Sequence, residues 1–126
     1  MSRFDAVAGL VRETLCLGEV EIRPEQLLFY HLEFTSLDLL ELLFRIDESL
    51  GVHVPEGTIY RLAKGDTPDE AFADKGYLTP LGRERLMALL EDSPRTIFPE
   101  QIHVQSLPRF ITVGALVRLV ERLETR

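Results

Sequence analysis

The sequence predicts an all-α fold, a single-domain helical bundle over residues 1–126 with a helical hairpin inserted at about residues 66–92. Three stretches, at residues 3–16, 36–50 and 113–123, repeat apolar residues at spacings of three and four, the period of an amphipathic helix. Two threonine–proline pairs in the later half indicate further helix starts. A chain of 126 residues is long enough to bury one core.

The first helix is predicted over residues 3–16, with Ser2 as its N-cap and Asp5 three residues later. Cys16 falls at the end of this helix and is interpreted as a packed thiol. It is the only cysteine, so no internal disulfide can form, which fits a reducing compartment. The connection at residues 18–35 should make a helical turn at residues 23–27 and pack its apolar residues against the helices.

The central helix, residues 36–50, carries more apolar residues than one buried stripe requires. Thr35 or Ser36 is predicted to cap its first turn, and Gly51 to supply the left-handed residue beyond its last. Off the core stripe lies an apolar and acidic strip that favours docking of a basic partner. The alternative is that another part of the chain covers the strip. Its members are Leu37, Asp38, Leu40, Glu41, Phe44 and Glu48.

The second half of the chain predicts shorter elements. A helix at 56–64 should end at Gly65, and a helix capped by Thr67 should end near Gly76. Thr79 should cap a third helix that runs to about Glu91, which completes the inserted hairpin.

Three prolines exclude a continuous helix over residues 92–111, where only a short helix at 99–103 is considered. Thr112 is predicted to cap the last helix.

The net charge of −7 is concentrated in residues 1–55, which hold ten acidic and four basic residues. Nucleic-acid binding depends on a basic patch, so this balance argues against it and favours partners with basic surfaces. No apolar run reaches the roughly 20 residues of a membrane helix, and the N-terminus does not resemble a signal peptide. We therefore expect a cytoplasmic protein without a membrane span.

The run Ser36-Leu37-Asp38-Leu39-Leu40-Glu41-Leu42 resembles the modified serine and second helix of acyl carrier proteins. Val52-His53-Val54-Pro55 is similar to the short apolar stretch and proline that follow that helix in the family. The resemblance covers residues 1–55 and resumes around 111–124. One position departs from the family pattern, because Thr35 stands where the family usually has aspartate before the serine and leucine.

The resemblance implies that Ser36 receives 4′-phosphopantetheine from coenzyme A and that the thiol of this arm carries acyl groups as thioesters. Implied partners are a phosphopantetheinyl transferase and acyl-transferring, acyl-activating or condensing enzymes of fatty-acid, lipid or polyketide-type biosynthesis. A helix N-terminus suits the phosphate of the arm. An apolar channel would shelter the acyl chain, although a solid core fits the sequence equally. Candidate linings are Leu39, Leu43, Ile46, Ile59, Leu62 and Ala115.

Two other classes of function remain as alternatives. In the first alternative, Ser36 is only a cap or a first-turn residue, and the chain is an unmodified helical interaction module on a carrier scaffold. A hydrolase would need a triad, but Ser36 lies in no Gly-x-Ser-x-Gly elbow and the histidines fall in separate segments. We therefore expect neither catalysis nor a structural metal site. The three histidines are His31, His53 and His103.

Overall fold

A computed structural model describes residues 2–55 and 57–124, and its architecture is mainly helical, as predicted. The helices are α1 (Arg3–Thr14), α2 (Ser36–Leu50), α3 (Thr58–Lys64), α4 (Asp69–Phe72), α5 (Pro80–Leu89) and α6 (Val113–Glu124). Two short strands, β1 (Ala73–Asp74) and β2 (Tyr77–Leu78), form an antiparallel hairpin. Two 3₁₀ segments cover Arg95–Ile97 and Val104–Phe110. Within the described residues, no helix combines the length and apolarity that a bilayer span requires.

Helix α1 begins as predicted and ends earlier than predicted. Ser2 and Asp5 form the expected capping box. The helix stops at Thr14, where the Leu17 amide donates to the Arg12 carbonyl at 2.8 Å in the pattern of a Schellman motif. Cys16 takes the left-handed position of this motif with φ of 57° and is exposed to solvent. The interpretation of Cys16 as a packed thiol on a helix is therefore wrong.

In the core, α1 packs against both α2 and α6, and buried residues of α4 and α5 belong to the same cluster. Helix α6 begins after Thr112, whose hydroxyl accepts the Ala115 amide at 3.0 Å, so the predicted cap is confirmed. The apolar stripe of α6 faces inward, as the periodicity indicated. Its fully or largely buried members are Val113, Ala115, Leu116, Val117, Leu119 and Val120.

The connection between α1 and α2 packs against the rest of the chain, as expected from its apolar residues. It makes an isolated turn at 23–26 rather than a helix. Leu28 is fully buried, and its amide donates to the Ile111 carbonyl at 3.2 Å. The Leu28 carbonyl in turn accepts the Phe34 amide at 2.9 Å. This pair of backbone bonds ties the start of α2 to the chain just before α6.

Residues 66–92, called the appendage below, differ from the predicted helical hairpin. Helix α4 is a single turn that starts after Pro68, and Thr67 does not cap it. A β-hairpin follows, with Lys75 and Gly76 both at positive φ, the geometry of a type I′ turn. Thr79 does cap α5, because its hydroxyl accepts the Gly82 amide at 3.0 Å.

Residues 93–111 connect the appendage to α6 without the short helix considered at 99–103. The Val104 amide donates to the Gly76 carbonyl and the Leu78 amide donates to the Ile102 carbonyl, each at 2.9 Å. Phe110 accepts a hydrogen bond from the Ser93 hydroxyl at its carbonyl. The segment is thereby anchored at both ends.

Helix α3 packs chiefly against α5 of the appendage and against the Val104–Phe110 segment. Gly65 follows its last residue, as predicted, and its first described residue is Thr58. Glu56, which the prediction placed at the start of this helix, lies outside the described residues.

Candidate functional site

Ser36 is the first residue of α2 and is exposed to solvent. The cap is Thr35 rather than Ser36, because the Thr35 hydroxyl accepts the Asp38 amide at 3.2 Å. Within the described part of the chain, the Ser36 side chain has no hydrogen-bond partner. The local structure therefore leaves this hydroxyl unengaged at the start of a fifteen-residue helix.

The first turn of α2 offers what a phosphate on Ser36 requires. The amides of Ser36 and Leu37 have no acceptor within the helix, and the helix N-terminus carries a positive partial charge. Both features favour an anion at this position. The carboxylate of Asp38, in the same turn, accepts hydrogen bonds from the Thr35 amide at 2.8 Å and from the Thr35 hydroxyl at 3.0 Å. The site thus fits the attachment of a phosphate group.

The strip beside Ser36 is exposed. Leu37, Leu40 and Phe44 retain 76%, 50% and 60% of their accessible surface, so the alternative that another segment covers them is wrong. Glu41 and Glu48 are also exposed on this side of α2. Glu41 forms an i,i+4 ion pair with Arg45 at 3.4 Å, whereas Asp38 is half-buried in the cap. An apolar patch with acidic neighbours therefore lies directly after the serine.

A partly open cleft of about 610 Å³ is lined by Ser36 and by residues of α2, α3, α6 and 103–109. Among the predicted lining residues, Leu39, Leu43 and Ile59 line it. The other three do not line it: Ile46 and Ala115 are buried in the core, and Leu62 is half-buried away from the cleft.

Sequence reasoning missed one side of this cleft, formed by residues 103–109 and called the wall segment below. The prolines of residues 92–111 remove any helical period that would show which side the apolar residues of this segment face. Phe29, Leu116 and Leu119 also line the cleft and were not singled out.

The three histidines have partners away from Ser36. Nδ1 of His31 accepts the Leu27 amide at 2.8 Å, and Nδ1 of His103 accepts the Gln105 amide at 3.1 Å. His53 lies 3.2 Å from a carboxylate oxygen of Asp47. Over residues 2–55 and 57–124 no group of three or more His, Cys, Asp or Glu side chains is arranged to hold a metal ion. Among the described residues, none of the three histidines forms a hydrogen bond with Ser36.

Comparison with known proteins agrees with this site. Residues 5–76 match the family described as the phosphopantetheine attachment site, a range that contains Ser36, most of α1 and all of α2, α3 and α4. The chain is 33% identical over 72 residues to acyl carrier protein AcpXL of Brucella melitensis, covering 56% of this chain and 77% of that protein. It is 36% identical over 52 residues to acyl carrier protein AcpXL of Rhizobium meliloti, and the match covers 41% of this chain and 55% of that protein. No solved structure gives a significant match.

The family match places the chain among proteins with a phosphopantetheine attachment domain. The cofactor of this class is 4′-phosphopantetheine. The chain belongs to the acyl carrier protein family. The family match runs continuously beyond residue 55 into the β-hairpin and does not reach residues 111–124. The wall segment also lies outside it.

Proposed function

We propose that this protein is an acyl carrier in which Ser36 bears 4′-phosphopantetheine and the terminal thiol of the arm carries acyl groups as thioesters. The observation that carries the proposal is the position of Ser36. Its exposed, unengaged hydroxyl lies at the start of α2, and the residue lines a largely apolar cleft. A carrier needs both features, because a modifying enzyme has to reach the serine and an apolar cargo needs shelter from water.

The cleft gives the acyl chain a place to lie. Leu39 and Leu43 on α2 and Ile59 on α3 all line it, so its lining includes aliphatic side chains from two helices. Its volume of about 610 Å³ lies within the range of roughly 300–1,000 Å³ typical of small-molecule sites. Burial of apolar acyl surface stabilises the loaded state by about 25 cal/mol per Å² removed from water.

The strip Leu37, Leu40 and Phe44 with its acidic neighbours is the proposed docking surface for partner enzymes. These partners are a phosphopantetheinyl transferase and enzymes that transfer, activate or condense acyl groups. Complementary charge raises the rate of encounter, and the exposed apolar side chains hold the complex. The carrier itself is proposed to be non-catalytic and, with one unpaired cysteine, to work in the reducing cytoplasm.

Intact mass tests the assignment directly. Purified protein incubated with coenzyme A and a phosphopantetheinyl transferase should gain the mass of one phosphopantetheine, and peptide mapping should place it between Phe34 and Arg45. Ser36→Ala should remain folded by circular dichroism and gain nothing. Ser49→Ala is the matched control, because Ser49 is an exposed serine on the same helix. Loading of Ser36→Ala would refute the site, and an unloaded wild-type chain would favour the unmodified interaction module.

A further inference from the structure

Arg109 lies on the wall segment and is an exposed cation in a protein of net charge −7. Other arginines near the core are engaged: Arg45 pairs with Glu13 and Glu41, and Arg118 pairs with Asp92 at 2.7 Å. Within the described ranges, Arg109 has neither an ion pair nor a hydrogen bond. Its guanidinium is therefore free to bind an anion from outside the polypeptide chain.

Two backbone hydrogen bonds connect the chain next to Arg109 with the chain that enters α2. Two residues after Arg109, the Ile111 carbonyl accepts the Leu28 amide at 3.2 Å. The Leu28 carbonyl accepts the Phe34 amide at 2.9 Å, and Phe34 is two residues before Ser36. Only two hydrogen-bonded steps therefore separate the chain at Ile111 from the chain entering α2. Consistent with this path, Arg109 and Ser36 line the same cleft.

The wall segment is also fixed before any ligand binds. His103 forms a bridge with Tyr77 at the hairpin, and its ring caps the Gln105 amide. At the other end, Phe110 is buried and its carbonyl accepts the Ser93 hydroxyl. A side chain projecting from a segment held at both ends loses less conformational freedom on binding than one on a mobile loop.

We propose that Arg109 binds the phosphodiester that joins the arm to Ser36 and so directs the arm into the cleft. This inference rests on the proposed function, because it requires the arm on Ser36. A guanidinium offers paired donors that match two phosphate oxygens, and charge-assisted bonds of this kind are among the strongest in proteins. The free amides of Ser36 and Leu37 approach the same phosphate from the helix side.

Charge balance supports a cation in this role. The phosphodiester adds a negative charge beside the carboxylate of Asp38, which already lies in the first turn of α2. Two like charges in one place are unfavourable unless a cation lies between them or near them. Because the wall segment lies outside the family match, the later half of this chain supplies part of the site that the matched half contains.

Phosphorus-31 NMR of the phosphopantetheine-bearing protein tests the contact without any partner enzyme. Arg109→Gln should shift the phosphodiester signal and abolish its dependence on salt concentration. Arg85→Gln is the matched control, since Arg85 is an exposed arginine on α5 that does not line the cleft. It should leave the signal at the wild-type position. Amide spectra of the unmodified and modified forms should differ at residues 104–111 in wild type, and this difference should be lost in Arg109→Gln.

The outcomes separate this inference from the proposed function. Intact mass first shows whether each variant is loaded; a wild-type chain that cannot be loaded overturns both. If all variants load and Arg109→Gln keeps the wild-type phosphorus signal, the contact is overturned and the carrier assignment stands. If Arg109→Gln does not fold, the same phosphorus-31 measurement is made on Arg109→Lys. It keeps the charge without the paired donors, so its signal should move away from the wild-type position, and an unmoved signal overturns the contact.

Discussion

Thr35 and Asp38 exchange hydrogen bonds across the first turn of α2. The Thr35 hydroxyl accepts the Asp38 amide at 3.2 Å, while the Asp38 carboxylate accepts the Thr35 amide at 2.8 Å. Threonine and aspartate are both good N-cap residues, so the departure from the family pattern at Thr35 preserves the cap and removes only a charge. The Asp38 carboxylate, 3.0 Å from the Thr35 hydroxyl, keeps a negative charge beside the serine.

Removal of this cap should destabilise the protein measurably. Thr35→Ala deletes the acceptor for the Asp38 amide and should cost about 1 kcal/mol in the free energy of unfolding. Thr35→Ser retains a hydroxyl and should stay close to wild type. Urea unfolding followed by circular dichroism measures both, and equal stability of the alanine and serine variants would contradict the role of the cap.

Charge reversal on the docking strip should slow modification of Ser36. Glu48→Lys removes an exposed acid from α2 and should lower the loading rate and weaken its salt dependence, because less attraction to a basic partner remains to be screened. Glu41→Lys added to it should strengthen both effects. Glu100→Lys makes the same change of net charge away from α2 and serves as the control. A loading rate reduced equally by Glu100→Lys would assign the effect to net charge alone.

Phe44 should matter for binding and little for folding. It retains 60% of its accessible surface, so Phe44→Ala should change the free energy of unfolding by no more than about 0.5 kcal/mol. Affinity for the transferase should fall, since an exposed aromatic is a strong interface anchor. Calorimetric unfolding and a binding titration measure the two effects. A stability loss of roughly 3–5 kcal/mol, as for a buried aromatic, would show that this side of α2 is core.

Gly82 and Gly9 should respond to alanine with opposite signs. Helix propensity alone favours alanine over glycine by about 1 kcal/mol inside a helix. A Cβ on Gly82, however, would lie 2.1 Å from the Phe72 carbonyl oxygen, so Gly82→Ala should destabilise the protein by about 1–3 kcal/mol. A Cβ on Gly9 in α1 meets nothing within 4 Å, and Gly9→Ala should therefore be stabilising. Thermal unfolding compares them; two stabilised variants would contradict the close packing of α4 on α5.

Two buried threonines should also behave differently when replaced by valine. The Thr67 hydroxyl is buried without a hydrogen-bond partner in the described residues, so Thr67→Val should stabilise the protein by about 1 kcal/mol. Thr112→Val removes the cap of α6 and should destabilise it by a similar amount. Denaturant unfolding of both variants gives the comparison. A destabilised Thr67→Val would reveal a partner for that hydroxyl.

Local signals predicted several helix ends along the whole of this fold. The caps at Ser2, Thr79 and Thr112 and the left-handed Gly51 follow from residue types at fixed offsets, and each is present. The β-hairpin was missed because its turn is Lys75-Gly76, whereas the usual signals are asparagine or aspartate followed by glycine. Thr67 failed as a cap although its local pattern resembles that of Thr79.

The candidate site was predictable only where local sequence signals define it. Ser36 and the strip after it belong to one helix, so periodicity defined them, including the exposure of Phe44. The cleft depends on which elements meet in three dimensions. Ile46 shares a stripe with Leu43 but is completely buried in the core, and Arg109 reaches the site from a distant part of the chain. The spacing of residues along the sequence does not show which distant segments come into contact.

The ring of Tyr60 meets the ring of Phe72 edge-on, with centroids 5.1 Å apart. Tyr60 lines the cleft, whereas Phe72 is fully buried in the appendage against α5. A tightly packed interior transmits displacement rather than absorbing it, so a cargo that pushes Tyr60 aside also moves Phe72. Empty and laden forms of the carrier would then differ in the packing of the appendage, away from α2 in the sequence. An enzyme that contacts the appendage would then distinguish a charged carrier from a spent one.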